Sequence, residues 1–394
     1  MSAGMASGEL SRWTRYFAVA SALSLVGAEA LDVAGTRGTL VVTVALFGFV
    51  CPMIFGMAYL LVPSFVGRTL TDYRLPGLHF GLAYLGTGSL VLGRIAGVDP
   101  LVRLGVVLWS LGVVLFVGLL AWTTVPAVRE RPAVVLRTGD RPQRSTRLAT
   151  GTIPVTVGYL VVGTAGLLGW AGLGPFPRVT FPAVVHYYGA GLGALLIFAL
   201  GARLMPGFFH VTPPRAGTWL ALVPGAVAPG LLATSLWTGV GFRAGAILQA
   251  TAMAGYAGLV GYVFRRSEWQ RVGLYGILLG AVVGVVGVGI NVPIAFDIVG
   301  PGQLDAHATV IVSGFFALTI VGYAMQFFAV TGGQFPGATK RTVLGTILTL
   351  ALGTLLDAGG SLGGSPLLSG GGAVLTFCGA VAYAYLLGRR LLFE

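Results

Sequence analysis

The sequence predicts an all-α polytopic membrane protein. One membrane domain covers residues 1–394, with twelve transmembrane helices in three pseudo-repeated four-helix units at about 13–125, 150–264 and 271–388. Three observations carry this reading. Only 9% of the residues are charged and 56% are hydrophobic, whereas a soluble domain carries about 25% charged residues. Apolar runs long enough to cross a bilayer recur from end to end. One glycine-containing pattern appears three times, at intervals of four spans.

The spans fall in order at 13–33, 38–63, 76–96, 102–125, 150–172, 181–208, 216–238, 242–264, 271–293, 306–329, 342–358 and 368–388. Span one ends on the polar Glu29 and Asp32 and is preceded by small polar residues with no basic n-region, so it reads as retained rather than as a cleaved signal peptide. Span two ends YLLVP, and span three opens with His79. After span four comes the substantial polar connection, RERPAVVLRTGDRPQRSTR (129–147), read as a cytoplasmic linker. Spans six and ten open with His186 and His307, and His210 follows span six. Gln249 lies in span eight, Asn291 in the GVVGVGIN stretch of span nine, and Gln326 in span ten. Span eleven is cut short, because Asp357 and the GGSLGG run (359–364) predict a break. Cys51 and Cys378 lie within spans, outside any CxxC pair, and read as small apolar fillers.

Charge placement tests the count. With twelve spans, 19 of the 24 basic residues fall on the side of the termini, leaving Arg37, Arg94, Arg103, Arg178 and Arg243 on the other. By the positive-inside rule both termini are cytoplasmic, as in a multi-pass protein of the plasma or inner membrane. The formal charge of +12 then reflects topology and anionic membrane lipid. No basic folded surface suggests nucleic acid as a partner.

The repeat is HYYGAGLGALLIFALG from His186, HATVIVSGFFALTIVG from His307 and VVTVALFGFVCPMIFG from Val41. Each copy has glycines at the same two positions: Gly193 and Gly201, Gly314 and Gly322, Gly48 and Gly56. The copies lie on spans two, six and ten, which run in the same direction. His186 and His307 therefore share one depth in the outer half of the membrane. A histidine inside a span points to function unless it is bonded across helices, and neutral imidazole ligates copper and haem iron well. Tyr187 and Tyr188 read as an interfacial aromatic pair, and Asp305 neighbours His307 near the same surface. His79 and His210 fall at the inner ends of their spans, where interfacial hydrogen bonding explains them. Depth argues against one compact site using all four histidines. Glu29, Asp32, Asn291, Asp297, Asp305 and Asp357 make the outer side polar and suit it to attracting cations or lining a path; of these Asp305, Asn291 and Asp357, together with His79 and His210, are the secondary site candidates. No P-loop, HExxH, CxxCH or credible dinucleotide fingerprint occurs, and no GxSxG stands in a strand–turn–helix context.

With these residues in place, the tenth span resembles the tenth helix of the haem–copper oxidase subunit I superfamily. In shorter bacterial relatives that helix reads HxHxxxxGxxxLTIxG, its first histidine ligating the high-spin haem and its second the low-spin haem. His307 matches the first and Thr309 stands at the second. Span two resembles the family's second helix, with Val41 and Thr43 where ligand histidines are sought, and His186 matches the copper-ligand position of the sixth helix. The paired copper histidines of the seventh helix are missing from TWLALVPGAVAPGLLATSLW (218–237). The resemblance thus implies an oxidase-like twelve-helix fold of divergent, NnrS-like type. His307 and His186 are its haem or copper ligands, and a complete oxygen-reducing centre is not expected. A redox complex or electron-transfer protein is the implied partner. Two other readings stand beside it. One is a cofactor-free accessory scaffold. The other is a transporter with parallel internal repeats, using Asn291, Asp357 and the GGSLGG break.

Overall fold

In the computed structural model, residues 8–130, 132, 144–237, 239–269 and 271–393 are described. Among them every regular element is helical, and twelve helices are long and apolar enough to cross a membrane. They are α1 (Gly8–Val33), α2 (Thr39–Phe65), α3 (Leu75–Ala96), α4 (Asp99–Glu130), α5 (Arg144–Trp170), α6 (Phe181–Phe209), α7 (Arg215–Thr234), α8 (Gly239–Arg266), α9 (Val272–Ala295), α10 (Pro301–Phe327), α11 (Lys340–Gly363) and α12 (Pro366–Leu392). Most of the expected linker lies outside the described residues, and its two ends continue α4 and α5 as helix.

Hydropathy alone does not say which helices are innermost; burial does. α2, α6 and α10 bury 67%, 72% and 72% of their apolar windows, against 33–56% for the other nine, so these three form the centre. Around them α3 packs along α4, α7 along α8 and α11 along α12. The ring closes where α4 meets α5, α8 meets α9 and α12 meets α1. The loops after the odd-numbered helices form one face, called here the far face; the chain ends lie on the opposite, termini face.

Each central helix widens into a π-helical segment: Val44–Val50 in α2, Tyr187–Ala194 in α6 and Val310–Phe316 in α10. The first glycine of each repeat copy lies inside it. Segments of this kind are rare and concentrate at functional sites. The α2 segment packs against the other two. Its carbonyls receive hydroxyl donors from neighbouring helices: Ser21 Oγ donates to the Phe49 carbonyl at 2.7 Å, Thr87 Oγ1 to Phe47 at 3.1 Å and Tyr84 Oη to Gly48 at 3.2 Å. The repeated glycines are places of close approach. A Cβ on Gly193 would stand 2.8 Å from the Phe316 ring, one on Gly56 would stand 2.6 Å from Phe17 Cβ, and one on Gly322 would stand 2.6 Å from the Gly273 carbonyl.

Three expectations are corrected. The GGSLGG run does not break span eleven: α11 continues through Asp357 to Gly363, 24 residues in all. Its glycines bring α11 and α12 together, since a Cβ on Gly360 would collide with the Ser369 backbone. The turn follows at Gly364, whose φ of 67° suits glycine, and Ser365 caps α12. Tyr187 and Tyr188 are buried rather than interfacial. Tyr188 accepts a hydrogen bond from Trp109 Nε1 at 2.9 Å and lies 2.7 Å from Thr164 Oγ1, tying α4, α5 and α6 together. Arg203, counted with the loop charges, is buried on α6; it donates to Thr150 and lies 4.1 Å from the Phe65 ring centroid.

Candidate functional site

His186 is the residue before the π segment of α6, and His307 stands three residues before that of α10. Both line one cavity of ≈ 140 Å³ in the far-face half of the bundle. α2 contributes Val42, Leu46 and Val50; α7 contributes Leu232; α8 contributes Ala246, Gln249 and Met253; α9 contributes Val288 and Asn291. The wall is almost wholly apolar, and among the described residues no acidic or permanently charged side chain reaches it.

The two imidazoles are held the same way. His186 Nδ1 lies 2.8 Å from the Pro182 carbonyl one turn earlier on its own helix, and His307 Nδ1 lies 2.8 Å from the Gly287 carbonyl on α9. A carbonyl only accepts, so each Nδ1 carries the hydrogen. In the neutral ring Nε2 then keeps its lone pair. Anchoring of the distal nitrogen to a carbonyl is the usual support of a metal-ligating histidine.

Two further groups at the cavity are suited to ligation. Met253 is buried there with a thioether, and Gln249 presents a buried Oε1 that has no hydrogen-bond partner. Asn291 is buried beside them. Sequence reading named Gln249 and Asn291 as polar residues of their spans, and it gave no sign of Met253. Among the described residues, no three His, Cys, Asp or Glu side chains gather as a metal cluster.

The other candidates lie elsewhere. His79 is fully buried, rather than interfacial, in an aromatic cage of Phe17, Phe55 and Phe116, with Tyr59 Oη 2.8 Å from its Nδ1. His210 ends α6 with φ 54°, exposed, its ring 5.4 Å from that of Trp269. Asp357 belongs to a far-face polar cluster: its Oδ1 accepts from Arg37 at 2.8 Å and from Ser369 Oγ at 2.6 Å. Arg37 Nε is 3.5 Å from Asp32 Oδ1, and Arg37 also donates to Ser361 Oγ at 2.5 Å. Asp305 is exposed at the mouth of a second, ≈ 20 Å³ cavity beside this cluster. Asp297 is separate and pairs with Arg243 at 2.9 Å.

Of the three positions at which the oxidase resemblance would seek further histidine ligands, Val41 and Thr309 line this smaller cavity, together with Asp32, Arg37 and Ser313, whereas Thr43 accepts a hydrogen bond from Arg94 at 2.9 Å. No protein-family model matches the chain, and no curated protein matches it.

Proposed function

We propose that this membrane protein is a divergent haem–copper-oxidase-like chain that holds a single copper ion between His186 and His307. The observation that carries this reading is the convergence of both histidines on one apolar cavity with Nδ1 of each tied to a carbonyl. Two imidazoles and the Met253 thioether are a soft donor set, which suits copper(I). Bound there, copper would supply one-electron chemistry or an open position for a small ligand.

The size of the cavity favours an ion over a macrocycle. Drug-sized ligands occupy pockets of about 300–1,000 Å³, and a cavity of about 150 Å³ takes a guest the size of benzene. At ≈ 140 Å³ the histidine cavity resembles the latter. The ≈ 20 Å³ cavity beside Val41 and Thr309 has room for about one water and is walled by a guanidinium. Neither suits haem. α7 brings Leu232 rather than histidines to the cavity, so a complete oxygen-reducing centre is not part of the proposal.

The architecture is read as three four-helix units, each with a glycine-bearing central helix, and the termini face as cytoplasmic. The recurrence of the π segment in the second helix of each unit supports the former, and the basic bias supports the latter. The transporter reading loses its broken helix, because α11 is continuous.

Metal analysis and copper(I) titration against a competing chelator, on the purified protein, test this. One tightly held copper per chain, lost in both His186→Ala and His307→Ala, is the expected result. A haem absorbance band lost in His307→Ala would move the proposal to haem. Absence of both copper affinity and haem would leave the scaffold reading.

A further inference from the structure

The far-face cluster holds more acid than its one cation can neutralise. Glu29 and Asp357 are each 1% exposed, and among the described residues they are the only fully buried acids. Asp32 lies beside Asp357, carboxyl to carboxyl, and Glu29 lies beside Ser313. α1 thus supplies Glu29 and Asp32, the α1–α2 loop Arg37, α10 Asp305 and Ser313, α11 Asp357 and Ser361, and α12 Ser369. α2 brings only Val41 and Val42 to the cavity beside the cluster, and its titratable side chains, Cys51 and Tyr59, lie nine residues or more further along the helix.

Two oxygens in the cluster have no donor: Glu29 Oε1 and Asp357 Oδ2, both buried. Three ionised carboxylates around one guanidinium, in a low-dielectric interior, would leave uncompensated buried charge, which is strongly unfavourable. A proton eases both problems. It neutralises one carboxylate and converts an oxygen without a partner into a donor to its neighbour, as in paired carboxyls that share a proton.

The cluster also has a route to water and a neighbour. Arg37 is 31% exposed and Asp305 is exposed, so the mouth is wet. The ≈ 20 Å³ cavity between them can hold about one water. Val42, Ala308 and Val312 wall both this cavity and the histidine cavity, so the two lie back to back.

We propose that Glu29, Asp32 and Asp357 form a proton-holding site that exchanges with far-face water and abuts the histidine cavity. A proton delivered by water through the Asp305 mouth binds one carboxylate, giving a carboxylic acid and leaving water behind; release is the reverse. No metal at the histidines is needed, so the copper reading can fail while this one stands.

Infrared difference spectroscopy of the full-length protein in lipid nanodiscs tests it. At neutral pH the wild type should show a carbonyl-stretch band of a protonated carboxylic acid that shifts in D2O and responds to a pH step. Glu29→Gln or Asp357→Asn should remove or displace it, and Asp305→Asn should leave it. Absence of such a band in the wild type, which needs no variant to fold, would overturn the proposal. So would a band untouched by both substitutions. Loss of the band on adding sodium at fixed pH would assign the oxygens to a metal cation and overturn it as well.

Discussion

Arg37 and Asp357 meet at 2.8 Å although 320 residues separate them. The contact joins the loop after the first helix to the eleventh, and so helps to close the ring of helices on the far face. Asp357 is buried and receives its charged hydrogen bond from this one side chain.

Removing the guanidinium should therefore destabilise the bundle. Arg37→Ala leaves a buried carboxylate short of its charged donor, at a cost of about 1–3 kcal/mol, read as a lower unfolding midpoint in detergent. Asp357→Asn in the same background should recover part of the loss, because the amide tolerates the missing cation. Additive losses in the double variant would show that the two residues are not energetically coupled.

The glycine spacing makes a contrast between two substitutions on neighbouring helices. Gly322→Ala drives a methyl to within 2.6 Å of the Gly273 carbonyl and 2.7 Å of the Ile277 nitrogen, both backbone atoms that cannot swing aside. A loss of about 1–3 kcal/mol follows. Gly289→Ala on α9 meets nothing within 4 Å and should be neutral or slightly stabilising. Thermal unfolding of the two proteins side by side decides; equal effects would remove close packing as the reason for the repeated glycine.

Met253→Leu keeps the volume of a buried side chain and removes its sulfur, so the fold should be retained. If the thioether helps to hold copper(I), affinity in the chelator competition should drop about tenfold, equivalent to about 1.4 kcal/mol. Unchanged affinity would confine binding to the two histidines.

The twelve helices were legible because crossing a bilayer demands long apolar runs, and the basic bias fixed their number. The shared depth of His186 and His307 was legible for a different reason, since a repeated segment puts equivalent residues at equivalent depth; that both line one cavity was not, because it depends on how the central helices are rotated. The π segments left no compositional trace, since a change from i→i+4 to i→i+5 bonding depends on what the neighbours pack against; the glycines marked only their location. Met253 was hidden because methionine is ordinary filling in an apolar helix. Arg37 read as one more loop charge, because its partner is remote in sequence and near only in the folded ring. GGSLGG misled in the opposite sense. Glycine runs signal breaks in water-exposed chains, whereas here they let two helices touch.

The π segments have a mechanical consequence. All three innermost helices depart from α geometry where they pack against one another, and bends in helices concentrate at such places. The π segments thereby mark off the far-face ends of α2, α6 and α10 from the remainder of those helices. His186 and His307 both precede their π segments, so a change of winding in either segment would alter the spacing of the two imidazoles from within the core of the bundle, without any loop having to move.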